Sequence, residues 1–564
     1  MAQQLKRGAN NRRPPRFVGP AVGALVLVLA IAYFARPMLH PFAMFFYVAP
    51  LAWLPSLLVL LIGGAIVLRS ARGRLHGDRS LRDPDGGRVW VVGEQGMQRI
   101  DPVALLRSAG GLVFVGAFAV VLFLVGSVLT GPLSASSLYQ NTRYLRTPNL
   151  PQNGVVRLVP KEVAERIAGS GFNSSTEHLT NFHLVRSRTG KLTWTALRTP
   201  DGAVRAWTQN TTGLLALDAT STTRDVKQVN GLFEAAPGMY FFDNLTWKLL
   251  KKDLFVELDD PIAAVDSKGG PIIIVPYIKY KGGLIRRPVF GGVYVVHPDG
   301  QIEDLSPEQA WTRPELVRSG RVYPENLARR KQDAYAYKNG LWNKWFLHKD
   351  QTQITNTETN PQPYLLDFKR GGMKFVSTAE PYGRAFAVNT VFLTNSVTGT
   401  TQLWQPRANV GLIGNRRVLE TVRSLSIPGI VFADANSSSR QGGDFRVVEP
   451  RPVVIDRRLM FMASIIPDNS NAVSKTVFVD AARGKVAAIF ANDNDPQADE
   501  KILAFINGKA GSTNGSTPPT TAKTGAPVES VPTSDTEIKR QIDDLLRRQR
   551  EILRDTEQLR RSVP

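Results

Sequence analysis

The chain has no cysteine in 564 residues. That absence excludes disulfides, thiol nucleophiles, thiolate zinc sites and cysteine-held iron–sulfur clusters. Histidine is scarce too, at six: His40, His76, His178, His183, His297 and His348. No pair has the HExxH spacing that places two ring nitrogens on one helix face, and no GxSxG elbow is present. The segment from Arg188 to Lys191 (RTGK) has the lysine of a phosphate loop but not its earlier glycine, and Leu192 stands where a hydroxyl belongs. It reads as a hairpin turn. No catalytic residue and no cofactor site is legible, so the expectation is a non-enzymatic protein.

Long apolar runs are missing after residue 130, and three crowd the residues before it. Phe17–Phe34 is uncharged and just long enough for a hydrocarbon layer of about 30 Å at about 1.5 Å per residue. Pro41–Leu68 follows, with Pro50 and Pro55 either kinking it or moving its true start later. Gly110–Thr130 is the third. A cleaved leader is the competing reading of the first run, but Arg36 and Pro37 stand where a small-residue cleavage site is wanted. The orientation follows from basic residues beside the runs. Lys6, Arg7, Arg12, Arg13 and Arg16 precede the first, and the loop 69–108 holds eight arginines against five acids. Residues 1–16 and that loop are therefore expected in the cytoplasm. The anchor is 17–130, and everything from 131 to 564 lies outside the cell membrane.

The formal charge of +22 suggests nucleic acid at first sight. Its distribution argues otherwise. Residues 1–130 carry +9, which topology explains, and the 404 residues from 131 to 534 carry a dilute +12. Solubility beside an envelope is the simpler account. Attraction to anionic envelope polymers or lipid headgroups is the sharper one. An arginine-rich, cysteine-free composition suggests a bacterial or phage-like source.

The body repeats itself. Lys374–Pro381 followed by Thr390–Gly399 matches Met460–Pro467 followed by Thr476–Gly484 at an offset of 86 residues. Looser copies are Ile272–Val275 with Val293–Gly300, and Leu192–Pro200 with Gly213–Leu217. Each is a β-branched and aromatic run, hence a strand, and most close on a glycine that tolerates the positive φ of a tight hairpin. Helices interrupt them. Val163 and Ile167 share one face after Pro160. Ser306 to Gln309 reads as a capping box, Pro324–Tyr337 as a helix stopped at Asn339 and Gly340, and Arg416–Ser424 as another. The hydrophobic strand, glycine turn and strand, with a short helix such as Pro160–Ala168 nearby, resembles the PepSY or cystatin-like class of extracytoplasmic modules. That resemblance implies a helix packed on an antiparallel sheet, and binding, inhibition or assembly instead of catalysis.

The fold class expected is therefore membrane-anchored α+β. Three transmembrane helices precede α+β subdomains at 131–250 and 251–350 and two β-meander units within 351–506, around 364–404 and 452–490. The stretch 507–533 is a Gly, Ser, Thr and Pro linker, expected disordered. A helix then runs over 534–562. Ile538, Leu545, Ile552 and Leu559 recur every seven residues with Ile542 in the facing seam, the pattern of an oligomerisation helix.

Two further clusters are candidates. Asp493, Asp495 and Asp499 alternate as hard oxygen ligands would for calcium, without the glycine and terminal glutamate of an EF-hand loop. A solvated capping loop is the simpler reading. Trp342, Trp345 and His348 form a dense aromatic stretch with basic neighbours. Packing between subdomains is its simpler use, and if any surface binds a partner, this is the one the sequence names. The functional expectation is scaffolding, assembly or regulation in the cell envelope. The partners are lipid bilayer and a second copy or an envelope protein, not nucleic acid. An enzyme on an envelope polymer and an accessory subunit of a transport or secretion complex are the alternatives.

Overall fold

The computed structural model describes residues 18–76, 90–93, 96–99, 102–222, 225–355, 362–383, 387–407, 410–433, 443–493 and 495–508. The basic N-terminal tail, residues 77–89, 94–95 and 100–101 of the 69–108 loop, nearly all of the linker and the helix expected to carry Ile538, Ile542, Leu545, Ile552 and Leu559 lie outside these residues.

Four helices come first: α1 (Val18–Phe34), α2 (Arg36–Val48), α3 (Pro50–His76) and α4 (Pro102–Gln140). Between α3 and α4, β1 (Trp90–Gly93) and β2 (Gly96–Arg99) pair as a hairpin. By length and composition α3 and α4 can each cross a membrane, and α1 with α2 makes a third candidate bent by 96°. The second apolar run therefore starts at Pro50, not Pro41. The Ala49–Pro50 step explains the break: the residue before a proline is pushed out of the helical region, as Ala49 is at ψ 50°, and Pro50 opens a new helix where its missing N–H costs nothing. Small residues bring α3 and α4 together. A Cβ on Gly126 would lie 2.5 Å from the Leu51 carbonyl oxygen and 2.7 Å from Ala52 Cα.

The body is built from antiparallel sheets. β3 (Tyr144–Arg146) leaves α4, and α5 (Lys161–Gly171) buries Val163 and Ile167 as the sequence pattern requires. Sheet one follows, in the order β4 (Glu177–Arg186), β5 (Leu192–Pro200), β6 (Thr211–Asp218) and β7 (Val226–Phe233), with α6 (Ala203–Thr208) between β5 and β6. Sheet two follows α7 (Leu245–Lys252). Its meander is β9 (Ile262–Val265), β10 (Pro271–Lys281), β11 (Arg287–Val296) and β12 (Ile302–Leu305), and the short β8 (Glu257–Leu258) also pairs with β10. Next come α8 (Pro307–Thr312), which carries the Ser306–Gln309 capping box, α9 (Pro314–Ser319), α10 (Glu325–Ala334) and α11 (Gly340–Trp342).

Sheet three holds β14 (Tyr364–Phe368), β15 (Gly372–Pro381), β16 (Thr390–Asn395) and β17 (Thr401–Trp404), with β13 (Thr352–Ile354) added on β15. After α12 (Asn415–Arg423), sheet four runs β18 (Phe445–Ile455), β19 (Arg458–Pro467), β20 (Lys475–Asp480) and β21 (Lys485–Ala491), and α13 (Ala498–Ile506) ends the described body. Each pair of matching runs in the sequence falls on the second and third strands of a meander: β5 and β6, β10 and β11, β15 and β16, β19 and β20. At Gly399 a φ of +72° closes the turn, and an added Cβ would meet the Tyr323 ring at 2.1 Å.

The elements do not respect boundaries at 250 and 350. β3 pairs in parallel with β17, more than 250 residues on. From α10, Gln332 reaches into sheet three, donating to the Phe375 carbonyl at 3.1 Å and accepting from Ser377 at 2.6 Å. One apolar cluster draws on all four sheets of the body, with Ile167, Trp194, Ile278, Leu327, Phe375 and Ile466 among its members. Each such side chain contributes roughly 1.5–3 kcal/mol on burial.

The body also grips the helices. Tyr139, in the last turn of α4, packs its ring on Tyr144 and Tyr335. Trp247 Nε1 of α7 donates to the carbonyl of Tyr33 in α1 at 3.3 Å. His40 of α2 bonds the Val256 carbonyl at 2.9 Å. The end of α1, the length of α2 and the end of α4 thus meet the same body.

Candidate functional site

Sheets one and four each begin with a bulged strand, and a polar cleft opens between them. In β4 the pairing slips between Thr180 and His183, with Asn181 at φ 57°. In β18 it slips between Val448 and Arg451, with Glu449 at φ 46°. A bulge inserts a residue and re-aims its neighbours. Here it turns Glu449 toward the start of α5. Its Oε1 accepts the Lys161 N–H at 3.0 Å, and its Oε2 meets Arg157 Nη2 at 3.0 Å. A carboxylate at that position also faces the positive end of the helix dipole.

Among the described residues Arg451 is the largest fully buried side chain. Its Nη1 donates to the Arg157 carbonyl at 2.9 Å, and its Nε lies 3.7 Å from Glu449. Two guanidiniums therefore share one carboxylate. Burial first, then Arg157, pulls Arg451 down to about 9. At the rim, Arg166 and Arg446 both reach Glu162, at 2.6 and 2.5 Å. Arg446 also pairs with Asp468, and Arg166 donates to the carbonyls of Pro467 and Ser470. These bonds tie α5, on sheet one, to sheet four.

The opposite wall comes from β4 and α10. His183 Nδ1 lies 3.1 Å from Arg321 Nη2. A guanidinium only donates, so Nδ1 is the acceptor and the proton sits on Nε2. Burial, reinforced by Arg321, holds His183 well below the usual histidine range, so the ring is neutral. With its acceptor nitrogen occupied and its ring neutral, this histidine can donate a hydrogen bond through Nε2 but cannot take up a proton. Arg321 pairs in turn with Glu325 at 3.1 Å. Asp259 caps α10, accepting from the Glu325 N–H at 2.5 Å and from Asn326 at 2.7 Å. Burial, then Glu325, pushes it up to about 6. Burial also raises Glu165, on the free side of α5.

Two adjoining hollows of about 560 and 740 Å³ share Lys161, Glu165, His183 and Asp260. The lining of the first carries five cationic and five acidic side chains. Such a balance gives no net field to draw in a ligand of one sign.

The residues named from sequence lie elsewhere, and the three aspartates do not converge. Asp493 accepts from Ser474 at 2.8 Å, Asp495 from Lys501 at 2.6 Å, and Asp499 from Ser221 at 3.0 Å and the Thr222 N–H at 2.7 Å. Among the described residues no group of His, Asp and Glu could hold a metal ion. The aromatic stretch is largely exposed: Trp342, at the end of α11, is 66% exposed and Trp345, on the π-helical turn that follows, 40%. Buried Asn343 bonds Lys349 across that turn. His348 sits apart, stacked on Tyr382 at 4.1 Å.

Sequence reasoning missed Glu449 and Arg451. The available signal was Pro450 and Pro452 inside the β18 run, since proline within a strand marks an edge or a bulge. Nothing local pointed to His183 or Asp259. No protein family matches the chain, and no curated protein is significantly similar to it.

Proposed function

We propose that the chain is a non-catalytic membrane-anchored scaffold whose body acts outside the cell membrane, in assembly or regulation of an envelope process. The observation that carries this reading is the use of the cleft's charges. Arg157–Glu449, Arg446–Glu162 and Arg321–Glu325 are consumed in joining α5, α10 and sheets one and four, and His183 has lost its basic nitrogen to Arg321. The ends of the helices support this side: α1 and α4 finish at the body and α2 lies against it, which suits three crossings, and the basic N-terminus and 69–108 loop favour the cytoplasm for the other face. The order of a helix and then a four-stranded meander, four times over, supports a PepSY- or cystatin-like ancestry. The partner is a second copy or an envelope protein held through the C-terminal heptads, with anionic envelope polymers attracted by the basic body.

The mass of the full chain in lipid nanodiscs tests the assembly part. It should exceed a monomer and fall to a monomer when the chain ends at residue 506; a monomer in both cases contradicts it. Glu165, raised by burial beside the larger hollow, favours an enzyme on an envelope polymer as the second reading. Cleavage of an envelope polysaccharide by the full chain, abolished in Glu165→Gln, would replace the scaffold with that enzyme.

A further inference from the structure

We propose that the underside of the body is seated in the headgroup layer of the bilayer through an apolar belt made by α2, the tip of the β10–β11 hairpin and the turn after α11. The inference rests on reading α1, α3 and α4 as membrane spans. It adds a second lipid contact, made by the body itself.

The turn after α11 is placed by α4. Tyr144, just past α4, donates to the Lys331 carbonyl at 2.6 Å. Tyr335 packs on Tyr139, inside α4. α11 then lies alongside α4 as well. Later residues of this segment thus meet earlier residues of α4, so the segment descends toward the membrane. A 3-10 turn over Tyr335–Tyr337 and Gly340 at φ +86° then lead into α11, whose contact with α4 keeps Trp342 beside that helix. There the protein exposes Trp342 (66%), Phe346 (60%) and Leu347 (64%). Tryptophan and its aromatic neighbours favour the interface, where a ring can be half dry. Lys338, Lys344 and Lys349 accompany them against Asp333 and Asp350, a balance suited to phosphate headgroups.

α2 supplies the second part. Its 96° bend from α1 lays it along the membrane plane. His40 and Tyr47 face the body, bonding the carbonyls of Val256 and Tyr280. The opposite face shows Met38 (78% exposed), Phe42 (68%) and Phe46 (52%). A helix with one face on protein and the other bare and apolar is built to lie in an interface. The hairpin tip is the third part. Leu284 and Ile285 are exposed there, and Arg286 stacks on Tyr47 of α2 at 4.0 Å. All three parts border the places where the helices enter the body, so a bilayer that holds the helices must reach them. In water the belt would cost about 25 cal/mol for each Å² left exposed.

The absence of cysteine makes the test direct. Single cysteines are placed at Phe346, Phe42, Val120 of α4 and the exposed Lys485 of β21 in the full chain, labelled with a nitroxide and reconstituted in lipid nanodiscs. Collision with oxygen, which concentrates in lipid, is compared with collision with a water-soluble nickel chelate. The proposal expects oxygen-favoured labels at 346 and 42, with a collision ratio several-fold above that at 485 and below that at 120. Labels at 346 and 42 as open to nickel as 485, or shielded from both reagents by protein, overturn the belt while Val120 stays in lipid. A water-exposed label at Val120 overturns the spanning reading itself. Quenching of the unmodified chain by brominated lipid supplies a second readout, which should weaken in Trp342→Tyr/Trp345→Tyr.

Discussion

The cleft and the underside of the body break the usual rule of polarity in opposite directions. In the cleft, Arg321 is 4% exposed and Arg451 is more deeply buried still; on the underside, Met38 is 78% exposed. The difference lies in the neighbours. A buried charge is tolerated only beside an opposite charge and satisfied donors, so the cleft is tightly coupled and long-range. The bare rings touch few protein groups, so their worth lies in what surrounds the molecule. Stability should therefore reside in the cleft and membrane seating in the belt.

The sharpest break of that contrast is Glu449→Ala. It leaves Arg157 and Arg451 buried without a carboxylate and uncaps α5, so it should cost roughly 3–5 kcal/mol, read from unfolding of the full chain in nanodiscs. A loss under about 1 kcal/mol would mean that water already solvates these charges. Asp259 comes next. Its folded value of about 6 lies above the unfolded value near 4. The fold therefore holds the proton more tightly, and stability from this group falls as pH rises from about 4 to about 6. The full swing is on the order of 3 kcal/mol. Asp259→Asn should remove that slope, which unfolding midpoints of both proteins across the range would show. Gly126→Leu presses a side chain into the α3 backbone and should cost about 1–3 kcal/mol, seen as a lower melting temperature of the reconstituted chain. Phe346→Ser should change stability by less than about 0.5 kcal/mol; a larger loss would make the belt part of the core and erase the contrast.

The strands were legible because each is rich in β-branched and apolar residues and most close on a glycine at a required positive φ, both local properties. Gly399 and Gly484 end runs that fold as β16 and β20 with their turns. The faces of α5 and the Ser306 cap were legible for the same reason. The cleft was not, since Arg157, His183, Asp259, Arg321 and Glu449 come from separated segments and meet only through tertiary packing. The aromatic turn was visible as a cluster, but an apolar residue reads alike whether protein or lipid covers it. Asp493, Asp495 and Asp499 show the converse: close spacing in sequence, with each carboxylate held by a different partner.

The central claim is that the apolar helices carry the body across the membrane. Its most direct test uses one cysteine at a time, at Lys485 in the body and at Arg82 in the basic segment between α3 and α4, with a membrane-impermeant maleimide added to cells whose outer barriers have been removed. Labelling at 485 and protection at 82 until the membrane is permeabilised is the predicted result. Protection at 485 with labelling at 82, or equal protection of both, would contradict the account.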